Sequence, residues 1–358
     1  MTVLGVLGAV VGLAIVVATV MSSIRTVVVP RPVPSRLSTS VFLSIRWLFD
    51  LRARAATTYE ARDRVMSLYA PLSLLVLPLV WIGLVLLGYT LLFWAVGERP
   101  LSAAFVVSGS SLLTLGFQSP KSLGGVALAF SEAALGLAIL ALLLVTYLPS
   151  MYAAFSRREQ AVALLEARAG SPPSGVGMLS RYARIQGLDE LDPVWREWET
   201  WFADLQESHT SLPAVAFFRS PLPEQSWVTA AGALLDAAAL YVSTVDVPAV
   251  LSGEIRVPAA EICMRSGYLA LRHIAAFFRI AYDPDPQPLD PISIAREEYD
   301  EACAELAAAG IPLLADRELT WRAFAGWRVN YDTALLALAA LTMAPYAPWS
   351  SDRSLYTR

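Results

Sequence analysis

The sequence predicts an all-α membrane protein, with three transmembrane helices and one re-entrant helix per subunit joined to an all-α water-facing domain. Three observations carry that expectation. Three long apolar runs are almost free of charge; a half-length apolar segment is wedged between the second and third; and the C-terminal half has helical periodicity with no alternating strand series. Composition agrees. Of 358 residues, 56% are hydrophobic and 16% charged, and the mean hydropathy is +0.52. That is too apolar for an ordinary soluble domain and too polar for a chain embedded throughout.

The first run, Val3 to Met21, carries no charge and is long enough to cross most of a ~30 Å hydrocarbon core. Nothing basic precedes it, unlike the n-region of a secretory signal, and Arg25, Arg31 and Arg36 follow it. The positive-inside rule therefore places Met1 outside and Arg25 in the cytoplasm. The second run, Leu72 to Gly97, is uncharged, and the third, Leu123 to Tyr147, carries only Glu132. Arg52, Arg54, Arg62 and Arg64 precede the second run and Arg157 and Arg158 follow the third, so both long connections are expected in the cytoplasm. The expected location is the cell membrane, multi-pass, with the C-terminal domain cytoplasmic.

Between the second and third runs lies Leu101 to Leu113, apolar with small residues and, as a helix, roughly 20 Å long. An ordinary external turn needs no such helix. A short helix that enters the bilayer partway, followed by backbone returning to the same side, fits the length. Non-helical backbone at that depth is tolerated only inside protein or along a water-filled cavity. The stretch that follows reads Thr114-Leu115-Gly116-Phe117-Gln118.

This order of helix, half-helix, T-L-G-F-Q and helix resembles the pore of the potassium-channel superfamily, over roughly Tyr69 to Pro149. Thr114 and Gly116 match that family's T-V-G-Y-G filter, and Leu115 and Phe117 are similar in kind to its valine and tyrosine. The resemblance implies a homotetramer conducting a monovalent cation, K+ or Na+, through rings of backbone carbonyls. Gly116 is expected at a positive φ that turns its carbonyl inward, and Thr114 is expected to offer a hydroxyl and a carbonyl at the inner mouth. Gln118 replaces the second filter glycine and Ser119 the acidic residue that commonly follows. Lys121, the single lysine, would add a positive ring at the outer mouth, and Val106 and Val107 stand where relatives carry bracing aromatics. Weak selectivity is the expectation.

Ser110 and Ser111 are candidate supports of the loop, as is Glu132, about two turns into the third run. A carboxylate at that depth is expensive and needs a partner: Ser108, Ser110 or Ser111 across the helix interface, or Lys121 near the outer mouth. Gly136 and Pro149 are gate or hinge candidates. Proline inside a helical pattern removes one backbone bond and either kinks the helix or ends it at the lipid surface.

The segments expected are an N-terminal transmembrane helix (1–21), a cytoplasmic linker with an interfacial helix (22–69), a pore module (70–150), a linker helix (151–175) and a helical cytoplasmic domain (176–358). In the linker, Phe42, Ile45, Leu48 and Phe49 recur at helical intervals with Arg46 between them and Arg52 and Arg54 beyond, as for a helix on the inner membrane surface or packed on the soluble domain. Asp192-Pro193 reads as a cap opening a helix with Trp195, Trp198 and Trp201, a stripe read as core. Asp290-Pro291 repeats the signal, and helices are expected over Glu224–Val245, Ala259–Tyr282, Pro291–Ala309 and Glu318–Met343. The aspartates of Tyr282 to Pro291 lie in a proline-rich stretch that reads as a stiff loop.

No G-x-G-x-x-G follows a strand, and no nucleophile, base or metal cluster is evident, so neither an enzyme nor a resident cofactor is expected. Cys263, Cys303, His209 and His273 are isolated. A net charge of −4 gives no reason to expect nucleic acid. Membrane lipid and further copies of the chain are the expected partners, and no motif names a gating ligand. The alternative function is a membrane-anchored helical sensor or scaffold whose loop does not conduct.

Overall fold

The computed structural model describes residues 3–29, 35–251 and 257–353; Met1, Arg31 and Arg358 lie outside them. Among the described residues the chain is helical, and the β pairing is a single bridge between Val245 and Leu313. Three helical stretches, Val3–Val27, Tyr59–Val96 and Leu123–Ala169, are long and apolar enough to cross a membrane. The chain divides into two compact units, Met1–Ala153 and Ala154–Arg358.

In the first unit, α1 (Val3–Val27) runs further than its uncharged stretch, ending past Arg25. It pairs closely with α4 (Tyr69–Val96), and two glycines permit the approach. A Cβ on Gly12 would stand 2.6 Å from the Gly88 carbonyl oxygen, and one on Gly88 would stand 2.9 Å from that of Gly12. Close backbone packing of this kind lets two apolar helices pair through small residues. On α4, Leu77, Trp81, Val85, Tyr89 and Phe93 recur every fourth residue and form the buried stripe, with Val16, Ala104, Val107, Leu112 and Ile139 against it. The Trp81 indole N–H reaches Ser22 Oγ at 3.2 Å, within a buried hydroxyl cluster completed by Thr26, Ser35 and Ser38.

α2 (Arg36–Ala53) is capped by Ser35. Phe42, Ile45 and Phe49 turn toward the protein, and Phe49 meets Tyr69 edge-on at 5.9 Å. Leu48 falls on the opposite, exposed face with Leu43, Trp47 and Leu51, so the helix is apolar on two sides. Arg46 and Asp50 neutralise one another at 2.9 Å. After the short α3 (Tyr59–Met66) and α4, the half-length segment forms α5 (Leu101–Leu112), which packs against both α4 and α6 (Leu123–Ala141). Ser122 caps α6 through the Gly125 N–H at 3.0 Å.

Beyond α6 the helix widens into a π-helical stretch, Leu142–Tyr147, and continues as α7 (Leu148–Ala169). Pro149 therefore does not end the helix. Its missing N–H and its ring are accommodated because the preceding turn has opened to i→i−5 bonding, with the Leu148 N–H on the Leu143 carbonyl.

The second unit is built around α10 (Trp227–Ser243), which is buried on nearly every side. Around it stand α8 (Gly175–Arg184), α9 (Leu191–Ser211), α12 (Pro258–Phe277), α13 (Arg296–Ala308), α14 (Arg317–Arg328) and α15 (Asp332–Thr342), with a single turn α11 (Val247–Val250). Trp195, Trp198 and Trp201 lie in the core on the α9 face that meets α12. Three sequence expectations are corrected. Asp192 is inside the first turn of α9, paired with Arg196 at 3.5 Å, and the helix opens at Leu191 after a 3-10 turn. Asp290 bonds the Gln287 N–H at 2.7 Å and the next helix waits until Arg296, where Glu298 accepts the Ala295 N–H. The expected helix Glu318–Met343 is two helices, because the Asn330 amide turns back onto the carbonyls of Gly326 and Trp327 and closes α14.

One buried network ties this unit together. Arg328 donates to Asp236 of α10 at 2.6 Å, to Asp332 of α15 at 2.7 Å and to the Trp349 carbonyl at 2.5 Å. Tyr331 adds a bond to Asp236 at 2.8 Å, and Ser293 holds both oxygens of Asp332.

Candidate functional site

The candidate site is the backbone between α5 and α6. α5 ends because Thr114 takes a left-handed conformation, φ 53°, uncommon for a non-glycine residue, and Gly116 follows at φ 69°. The positive φ expected of Gly116 is found; that of Thr114 is an addition. Consecutive N–H groups fold back onto the helix end. Thr114 bonds the Ser111 carbonyl at 3.0 Å, Leu115 the Ser110 carbonyl at 2.9 Å, and Gly116 the same carbonyl at 3.3 Å. Gln118 then donates its N–H to Ser110 Oγ at 3.0 Å.

Ser110 thus grips the loop by its carbonyl and its hydroxyl. Ser111 does so by its carbonyl alone, since its hydroxyl donates to Val107. The Thr114 hydroxyl, expected to face an inner mouth, donates to the Leu113 carbonyl at 2.8 Å. With the N–H groups of Thr114, Leu115, Gly116 and Gln118 turned inward, the carbonyls of Thr114, Leu115, Gly116 and Phe117 accept no hydrogen bond among the described residues. All residues from Leu113 to Ser119 are exposed, with Leu115 and Phe117 at 60% and 65%. Gln118 lies outside the left-handed region.

Glu132 is fully buried behind α5. Of the partners the sequence offers, it takes Ser108, whose Oγ stands 2.5 Å from Oε1 and 3.1 Å from the Leu86 carbonyl on α4. Ser110 and Ser111 are engaged in the loop, and Lys121 is not a partner: its side chain is exposed and its backbone N–H bonds Glu98 Oε1 at 2.7 Å. Sequence reasoning missed Glu98. It is buried, directly after α4, and straps the entrance of the α5 segment to its exit. A carboxylate next to the end of an uncharged run, facing a loop with orphan N–H groups, was the available signal. Tyr89 also escaped notice; its hydroxyl pairs with Ser131 at 2.9 Å and links α4 to α6.

Gly136 sits where α6 crosses the end of α5, and a Cβ there would stand 2.8 Å from the Leu112 carbonyl oxygen. Its small size is used for contact. Of the two valines standing where the resemblance would have bracing aromatics, Val107 is buried and Val106 exposed.

Comparison with protein-family models, with curated proteins and with solved structures finds no match to this chain.

Proposed function

We propose that the chain forms an oligomeric pore for monovalent cations, a homotetramer in which the α5–α6 loop of each subunit lines the axis. One observation carries the reading. A half-length helix between two potential spans ends in exposed backbone in which the N–H groups of Thr114, Leu115, Gly116 and Gln118 are consumed internally and four successive carbonyls, Thr114 to Phe117, are left without donors among the described residues. Carbonyl oxygens with no donor are ligands for water or for a cation shedding its water. A single loop cannot enclose an axis, so further copies are needed. Ser110, Glu98 and Glu132 hold the loop, and α2 lies at the membrane surface with Trp47 and its neighbours in lipid. The short connection faces outward and the second unit the cytoplasm.

Selectivity is weak in this reading, because Gln118 does not take the glycine conformation that would align an outermost carbonyl. Lys121 sets a positive ring at a wet mouth, where salt screens it. Reversal potentials in potassium and sodium gradients, measured on purified protein in planar bilayers, test both points. Gln118→Gly raises potassium preference, and Lys121→Ala raises conductance at low salt. A parent that passes chloride overturns the cation reading.

A non-conducting sensor or scaffold is the second reading. The observation in its favour is that Thr114 to Gly116 close the end of α5 as a helix cap and do not run extended. A silent bilayer from assembled protein would select it.

A further inference from the structure

We propose that Glu132 is a neutral carboxylic acid, and that its proton is the positioning element that pins α5 against α4. The inference follows from counting protons at one junction of three helices. Ser108 Oγ lies 2.5 Å from Glu132 Oε1 on α6 and 3.1 Å from the Leu86 carbonyl on α4. A serine hydroxyl has one proton and cannot donate to both. If it donates to an ionised Glu132, the Leu86 contact carries no proton. Glu132 Oε2, buried without a partner, then belongs to a full negative charge with nothing to answer it.

No counter-charge is at hand on the packed elements. α5 has no titratable residue, and α6 has none but Glu132. α4 offers only Tyr69 in its first turn and Tyr89, whose hydroxyl is engaged by Ser131. Arg25 belongs to the last turn of α1. In the flanking loops, Glu98 is bonded by the Lys121 N–H, Arg99 lies over the Trp94 ring at 4.7 Å, and Lys121 is exposed. An uncompensated buried charge is among the most costly features a fold can carry.

A protonated Glu132 resolves the count. Its O–H donates to Ser108 Oγ, and Ser108 donates onward to the Leu86 carbonyl. Both contacts then carry one proton each, and the leftover group is an uncharged carbonyl oxygen. The chain of two bonds runs from α6 through α5 to α4, behind the segment that Ser110 grips. Its consequence for conduction rests on the function proposed above; the placement of the proton does not. When base removes the proton to water, a charge appears at the junction, Ser108 is drawn to Glu132, and the tie to Leu86 is lost.

The test is infrared difference spectroscopy on the full chain in lipid at neutral pH, parent against Glu132→Gln, with conduction recorded on the same samples. The carbonyl stretch of a protonated carboxylic acid is lost in Glu132→Gln and shifts to higher frequency in Ser108→Ala. In the parent it gives way to carboxylate bands as pH is raised. Glu132→Gln, whose amide N–H replaces the acid O–H, keeps conduction and makes it independent of pH. Glu132→Ala loses conduction. A difference spectrum showing loss of carboxylate bands at neutral pH overturns the proposal. Should Glu132→Gln fail to assemble, the parent's own alkaline titration decides with Ser108→Ala, and an acid band unmoved by Ser108→Ala is equally fatal. A silent bilayer with the acid band present upholds the proton and rejects the pore.

Discussion

Gly116 and Gly136 show that glycine serves two unrelated needs within one site. Gly116 has open space around a built Cβ but a φ of 69°, so its constraint is the backbone conformation. A β-branched residue there is strained by about 1–2 kcal/mol or more in the left-handed region. Gly116→Val is therefore expected to abolish conduction while leaving assembly, read by size-exclusion chromatography, unchanged; an unaltered current would show that Thr114 to Gln118 does not line the path. Away from the loop, the charge state of His209 bears on stability. It is fully buried against Trp227, at 4.6 Å between rings. Burial, and secondarily the Arg158 guanidinium, hold its imidazole well below the ordinary 6.5. The unfolded chain thus takes up a proton that the folded chain refuses. This contribution to stability is complete above about pH 6.5 and declines as pH falls, by up to about 1.4 kcal/mol per pH unit. Denaturant unfolding of the full chain followed by tryptophan fluorescence should show that slope between pH 6.5 and 5.5, and His209→Gln should flatten it.

At the scale of elements, α10 carries one charged residue, Asp236, and that carboxylate is held by Arg328 and Tyr331. Removing the cation strands a buried acid. Arg328→Ala is expected to destabilise the protein by roughly 3–5 kcal/mol, measured by the midpoint of chemical unfolding; a loss below about 1 kcal/mol, the scale of a surface pair, would mean that the network is not structural. Elements like α10, α12 and the three long apolar helices were legible in the sequence because length and apolar pattern alone demand them. What escaped was set by single polar contacts. The closing of α14 by Asn330 and the late start of α13 turn on side chains that bond backbone within a turn of themselves, where neighbouring residues offer the same chemistry. The choice of Ser108 over Ser110 or Ser111 by Glu132, and the strap from Glu98 to Lys121, depend on which partner arrives in space. In the site, the turn at Gly116 was readable from one residue type. The left-handed Thr114 was not, because threonine ordinarily avoids that conformation.

For the molecule as a whole, the arrangement of charge makes a claim that is independent of conduction. Arg52, Arg54, Arg62 and Arg64 precede the second potential span, and Arg157 and Arg158 follow the third, while the α4–α6 connection carries Glu98, Arg99 and Lys121. Opposite sides of a membrane are expected for Ser119 and Ser171. Both native cysteines are buried, so single substitutions Ser119→Cys and Ser171→Cys can be probed in intact cells with an impermeant thiol reagent. Ser119→Cys should react from outside and Ser171→Cys only after lysis. The reverse pattern inverts the orientation, and reaction at both from outside breaks the three-span reading.

The π-helical stretch before Pro149 also changes the angular bookkeeping of the longest helical stretch, Leu123–Ala169. A wide turn takes up about one residue more than an α turn, and each residue of an α-helix advances by about 100°. Side chains after Leu148 are thus rotated by about that angle from where an unbroken count from Leu123 would put them. Tyr147 is buried while Leu144 and Val145 face out. A helical wheel drawn straight through from Leu123 assigns the residues that follow Tyr147 in the first unit to the wrong sides, so the face that Gly136 shares with Leu112 on α5 cannot be extended past Tyr147 by counting.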